Sequence, residues 1–214
     1  MTDAKPRSRP PLLAGLAVVA LIGLGAALYG TMSDVSNSAA AECRAAAPVV
    51  ERLKPLARGE VAAFQVASAP KPLPGIAFQS PQGQPLTLAD FKGRTVLLNL
   101  WATWCAPCRH EMPALDKLQA ELGGRDFEVV AVNIDTRNLD KPKAWLGEVG
   151  VKHLAYYADP QAKIFQDLRQ AGKAVGMPTT FLLDAQGCEL GQLSGAADWG
   201  SEDAVKLIRA ALAG

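Results

Sequence analysis

The chain is 214 residues long and 49% apolar, with 22 basic and 21 acidic side chains for a formal charge of +1. That suits one domain with appendages and a sizeable core. The charge pattern excludes a general nucleic-acid binder. Lys5, Arg7 and Arg9 against Asp3 put +2 on the first eleven residues, and the remainder sits at −1 with no basic field.

In chain order, the first feature is a charge-free stretch between Arg9 and Asp34, within which Leu12 to Tyr29 reads LLAGLAVVALIGLGAALY. About 20 apolar residues cross a bilayer as one helix, so residues 12–30 are predicted to be a single membrane anchor. The basic residues ahead of it predict a cytoplasmic tail at 1–11 and export of everything beyond. The competing reading is a cleaved signal peptide, for which Ala39 and Ala41 supply small residues. The apolar run is longer than a signal core, and that site lies well past it. Glu42 before Cys43 does not fit a lipoprotein acylation box. Residues 31–42 read as a linker.

From Cys43 to Gly59 the residues Val49, Val50, Leu53, Leu56 and Ala57 recur at helical spacing, so 43–75 is predicted to be a helical extension. Pro48 suits its first turn and Pro55 limits its length. Pro70, Pro72, Pro74 and Gly75 then break the chain before a main domain at 76–214. TVLLNLW at Thr95 to Trp101 reads as a buried strand. A helix follows from about Cys108 to Leu122, with Met112, Leu115, Leu118 and Leu122 on one face. Phe127 to Ile134 is a second buried strand, and a helix near Lys141 to Glu148 precedes a short strand at His153 to Tyr157. Another helix spans about Pro160 to Ala171. Strands at Thr179 to Asp184 and Cys188 to Ser194, joined by a turn at Gln186–Gly187, lead to a last helix over Ser201 to Leu212. Asp198 or Ser201 is placed to cap that helix. Alternation of this kind implies a mixed, helix-covered α/β sheet.

The chemistry centres on Cys105-Ala106-Pro107-Cys108, which follows a strand and opens a helix. A cysteine at a first helical turn meets unsatisfied backbone N–H groups and the positive dipole end, which favour its thiolate. Cys105, nearer the helix start and more exposed, is expected to attack; Cys108, one turn deeper, resolves the mixed disulfide. A zinc site needs further ligands, but Cys43 and Cys188 are isolated and only two histidines exist. Composition alone leaves transient copper(I) contact open. Trp101 is expected to pack in the core and Trp104 to lie over the active surface, shielding Cys105. Glu111, one turn past Cys108, either tunes both cysteines as a partly buried acid or is a solvated first-turn carboxylate. Once the motif is assigned, Cys43 and Cys188 are left as a structural disulfide, two independent thiols or a second redox relay.

WATWCAPCRHEMP at 101–113 together with GMPTTFLLD at 176–184 resembles the thioredoxin superfamily, and specifically its membrane-anchored TlpA-type reductases. The likeness extends over the anchor, the Cys43 segment and Cys188. It implies a thioredoxin fold with a central mixed sheet flanked by helices, a family insert at about Asp135 to Tyr157, an N-terminal extension and one anchor. By the same likeness Cys105 is nucleophile, Cys108 resolves, Glu111 is the active-site acid and Cys43–Cys188 is a structural disulfide. Pro178 is then a cis-proline exposing the backbone of Met177 to a partner chain, and Trp104, Met177, Pro178 and Thr179 form a small platform around Cys105.

Two positions depart from relatives. Asn99 stands where ordinary thioredoxins carry a buried aspartate, so Glu111 or water must move the proton. Thr179 follows Pro178 where cytochrome c maturation reductases of this group have glutamate, which argues against apocytochrome c as client. The resemblance implies a periplasmic reductase, monomeric in its exported part and held on the bacterial inner membrane. It needs no cofactor or resident metal. Its expected clients are an Sco-type copper chaperone and cytochrome oxidase subunit II during cytochrome aa3 assembly, and its expected electron donor is a CcdA- or DsbD-like membrane protein. A disulfide-introducing oxidase, an apocytochrome c reductase and a copper carrier are the competing functions.

Overall fold

The computed structural model describes residues 41, 43–73 and 75–213. The chain divides into two compact units, Met1–Ala39 and Ala40–Gly214, and every described residue lies in the second. The expected tail, the anchor at 12–30 and nearly all of the linker therefore lie outside the described residues. Among the described residues no helix is long and apolar enough to cross a membrane.

The centre of the fold is β4 (Thr95–Trp101), buried at all seven positions. Such a run has no polar alternation because both faces are covered. It pairs in parallel with β5 (Phe127–Asn133) and antiparallel with β7 (Thr179–Leu183). The remaining strands are β1 (Gln65–Val66), β2 (Ala77–Gln79), β3 (Pro85–Thr87), β6 (Tyr157–Ala158) and β8 (Glu189–Ser194). The eight form one mixed sheet in the order β1-β8-β7-β4-β5-β6-β2-β3. The helices are α1 (Ala47–Leu53), α2 (Ala106–Leu122), α3 (Lys141–Glu148), α4 (Lys163–Gln170) and α5 (Glu202–Leu212). Helix α2 turns Cys108, Glu111, Met112, Leu115, Asp116 and Leu118 inward. Each fully buried Leu or Met on that face is worth about 1.5–3 kcal/mol of apolar transfer. Ser201, and not Asp198, caps α5 by accepting the Ala204 N–H at 3.2 Å.

Several expected elements differ in extent, each for a local reason. The helix expected from Cys43 to Gly59 is broken into a 3-10 turn at Arg44–Ala46, then α1, then a second 3-10 turn at Lys54–Leu56. Pro55 has no N–H to continue the α ladder. The extension is also not wholly helical, because its β1 adds to β8 at the sheet edge. The strand expected at His153 to Tyr157 shrinks to Tyr157–Ala158. The backbone N–H groups of Lys152, His153 and Leu154 are donated to the Asp116 carboxylate at 2.6–3.0 Å and are not free for a ladder. The helix expected from Pro160 starts only at Lys163, after Ala162 in the left-handed region at φ 51°. Helix α2 begins at Ala106, two residues ahead of its expected start. The β2–β3 hairpin is an addition, held to the sheet by Phe78, Phe91 and Tyr157, whose ring centroids lie 5.6–5.9 Å apart.

Cys43 and Cys188 are joined in a disulfide with Cα atoms 5.4 Å apart, both sulfurs' residues being buried. The bond ties the start of the extension to the residue just before β8, where Glu189 N–H also donates to Lys71 O at 2.9 Å.

Candidate active site

β4 ends at Trp101, and the chain must then turn outward before α2 can start. Thr103 fixes that turn: its N–H and hydroxyl donate to the two oxygens of Asp135, at 2.8 and 2.9 Å. Asn133 Nδ2 donates to the same carboxylate at 2.7 Å, and Ile134 N–H reaches back to Trp101 O at 2.9 Å. The end of β5 thus clamps the end of β4. Asp135 was read from sequence only as the start of an insert. The N-x-D spacing at the end of β5 is the signal that marks this clamp.

The clamp delivers Cys105 to the N-cap of α2 in an extended conformation. Its Sγ accepts the Cys108 N–H at 3.2 Å, and Arg109 N–H donates to Cys105 O at 3.1 Å. Pro107 occupies the first turn, where a missing N–H does no harm. Cys105 and Cys108 are joined in a disulfide with Cα atoms 5.3 Å apart. Cys105 is 6% exposed and Cys108 0%. The outer sulfur is therefore the one a partner reaches, and it already sits where the helix offers an N–H and its positive end.

Glu111 is buried at 3% exposure one turn beyond Cys108. Asn99 Nδ2 donates to its Oε1 at 2.7 Å, and Ala197 N–H to its Oε2 at 3.3 Å. Burial pushes the carboxyl up to about 7, with the hydrogen bonds from Asn99 and Ala197 pulling partly back. Asn99 is itself fully buried and also donates to Thr180 Oγ1 at 2.9 Å. Asn99 cannot titrate, but it orients the acid that does. Ala197, Thr180 and the neighbouring Trp199 were not picked out from sequence. They reach Glu111 and Asn99 from β7 and the β8–α5 loop, remote in the chain.

Trp101 is fully buried against Trp145, ring centroids 5.8 Å apart, with Arg109 stacked over Trp145. Trp104 is 65% exposed beside Cys105, standing off the surface rather than packed into it. The Met177–Pro178 bond is cis. The β4–β7 register pairs Leu100 with Thr179 and so sets Pro178 alongside the end of β4. Thr179 corrects the expected platform. It is fully buried and its hydroxyl is spent on Gly176 O at 2.7 Å, so its side chain offers a partner no surface. Met177 is half-buried at the rim. Among the described residues no three His, Cys, Asp or Glu side chains gather as a metal site.

Residues 68–208 match the Redoxin family. The thioredoxin-like protein YneN of Bacillus subtilis is 35% identical over 120 residues, which are 53% of this chain and 64% of that protein. The thiol:disulfide interchange protein DsbE of Pseudomonas aeruginosa is 35% identical over 130 residues, 60% of this chain and 67% of that one. A solved structure named for a thiol:disulfide interchange protein DsbE of Chlorobium tepidum superposes with a TM-score of 0.55 at 36% identity, over 65% of this chain and 94% of that chain. The match to the curated relatives thus spans about two thirds of their length.

Proposed function

This chain belongs to the Redoxin family, and we propose that its thiol–disulfide exchange returns oxidised cysteine pairs of exported copper-site proteins to the dithiol state. Thiol–disulfide oxidoreduction is its chemistry. The observation that carries the reading is the Cys105 sulfur at the α2 N-cap, accepting the Cys108 N–H, with a buried acid one turn away. In the reduced enzyme that N–H and the helix end stabilise a Cys105 thiolate, which attacks a client disulfide. One client sulfur leaves as thiolate and a mixed disulfide forms. Glu111 takes the Cys108 proton, and the Cys108 thiolate attacks the Cys105 sulfur. The second client sulfur is released as the Cys105–Cys108 disulfide closes.

The finer parts of the reading rest on sequence. The charge-free run at 12–30 after Lys5, Arg7 and Arg9 supports an inner-membrane anchor with the domain in the periplasm. A dithiol spent there must be recharged, which calls for a CcdA- or DsbD-like donor. The clients are an Sco-type copper chaperone and cytochrome oxidase subunit II, whose cysteines must be reduced to take copper. The lack of a carboxylate at position 179 supports them over apocytochrome c.

The test is stopped-flow mixing of the reduced full-length protein with each oxidised candidate. An Sco-type chaperone or subunit II should be reduced at least tenfold faster than apocytochrome c. The reverse order would overturn the client assignment. Net oxidation of a reduced copper-site protein at periplasm-like redox poise would overturn the direction.

A further inference from the structure

Glu111 must lose and regain a proton in each turnover, yet it is 3% exposed and lies one turn beneath the sulfur that a client covers. The surface offers it a second route. A groove of about 510 Å³ runs beside α2 with Glu111 itself in its wall, flanked by Glu60, His110, Ala196, Ala197 and Asp198. Cys105, Trp104 and Pro178 take no part in its lining. We propose that this groove is the proton passage of the enzyme, connecting Glu111 to solvent independently of the face on which clients dock, with His110 as its relay.

The groups along the path suit that task. His110 is exposed, and an imidazole both accepts and donates a proton. Glu60 comes from the 3-10 turn at Gly59–Val61 and Asp198 from the β8–α5 loop, and both are exposed at the mouth. Their carboxylates draw cations, protons among them, toward it. Beyond Glu111 lie the fully buried Asn99 and Trp199, and Asn99 Oδ1 has no protein partner. Asn99 is bonded to Glu111 through its amide nitrogen, and the Trp199 indole lies near enough to draw the Glu111 carboxyl down slightly. An open acceptor on the residue that holds a buried acid is a place for water to bond on the proton's path. Glu60, His110, Glu111 and Asp198 are the titratable side chains that line the groove, while Asp116, on the same inward face of α2, is engaged by Lys152, His153 and Leu154.

The passage rests on Glu111 being the proton acceptor for Cys108. Glu111 can take the Cys108 proton only once it has shed the one it already holds, so each resolution waits on a proton leaving Glu111. The proton then taken from Cys108 must leave in turn before the next cycle. The client covers the sulfur face at that moment. The groove carries the proton out, and the departing client thiolates take theirs directly from bulk water, so that protons balance.

Single-turnover oxidation of the reduced full-length protein by glutathione disulfide separates the steps. Attack on this probe needs no client docking, and the glutathionyl group left on Cys105 covers the sulfur face until resolution. Cys105 attack is second order and Cys108 resolution first order. Ala196→Trp, at an exposed position, should fill the groove and slow resolution about tenfold while leaving attack unchanged. His110→Ala should slow resolution several-fold and be restored by millimolar imidazole, which a merely structural role for His110 would not allow. Resolution rates unchanged in both variants overturn the passage, as does equal slowing of attack and resolution. Glu111→Gln is the control: if it leaves the pH profile of resolution unaltered, the Glu111 role falls as well. If it abolishes the profile while the groove variants do nothing, the passage alone falls.

Discussion

Glu111 sits where water is scarce, and its charge is therefore conditional. Its carboxyl is raised from 4.5 to about 7, so the folded protein holds that proton more tightly than the unfolded chain does. A raised acid is harmless below its unfolded value and increasingly destabilising as pH climbs from about 4.5 through 7. Integrated over that window, the loss is about 3 kcal/mol. Glu111→Gln keeps an acceptor for Asn99 and never ionises, so its stability should lack this slope. Urea denaturation of the oxidised protein at pH 5 and pH 8 should show the variant gaining about 2–3 kcal/mol on the parent between the two. Equal changes in both proteins would place the titration elsewhere. The residue's chemistry was legible in its spacing from Cys108, but its burial was not. A solvated acid in a first helical turn has the same spacing. What buries it arrives from Asn99, Thr180 and Ala197, partners 12 to 86 positions away along the chain.

Strand β4 and helix α2 were legible because each carries an unbroken pattern: seven consecutive buried positions in one, inward residues at helical spacing in the other. Elements shaped by a single side chain were not. Asp116 on α2 accepts three backbone N–H groups from Lys152, His153 and Leu154 and pairs with the His153 ring at 3.0 Å, turning an expected strand into a loop docked on the catalytic helix. Burial pushes the Asp116 carboxyl up, but the donors from His153, Leu154 and Lys152 outweigh it and hold the group below the ordinary aspartate range. Its contribution is therefore present above that range and lost as pH falls through the lowered value. Asp116→Ala leaves those N–H groups without their acceptor and should lower stability by about 2 kcal/mol. It should also raise amide exchange at 152–154 while protection of β4 persists relative to global stability. Unchanged exchange at those three amides would contradict the docking role. The β2–β3 hairpin escaped notice for a different reason. Its strands have three residues each, too few for an alternation to register.

Across the whole molecule, the sheet-and-helix order was readable, whereas the edges added by β1 and by the hairpin depend on contacts distant in sequence. The Cys43–Cys188 disulfide closes a separation of 145 residues. On the chain-entropy account such a closure restrains the unfolded chain by at most about 5 kcal/mol. Cys43→Ser with Cys188→Ser should therefore cut stability by about 2–5 kcal/mol and leave glutathione-disulfide turnover within twofold of the parent. A normally stable double variant without turnover would make the pair a redox relay instead. Everything else rests on the order of attack at the other pair, since the client, the proton route and the direction of transfer all start from the outer sulfur. The most direct test is intact-protein mass measurement after mixing reduced Cys108→Ser and Cys105→Ser variants with an oxidised client. The Cys108→Ser protein should accumulate a one-to-one mixed disulfide through Cys105, and Cys105→Ser should form none. A stable adduct on Cys108 in the Cys105→Ser protein, with none in its counterpart, would contradict the account.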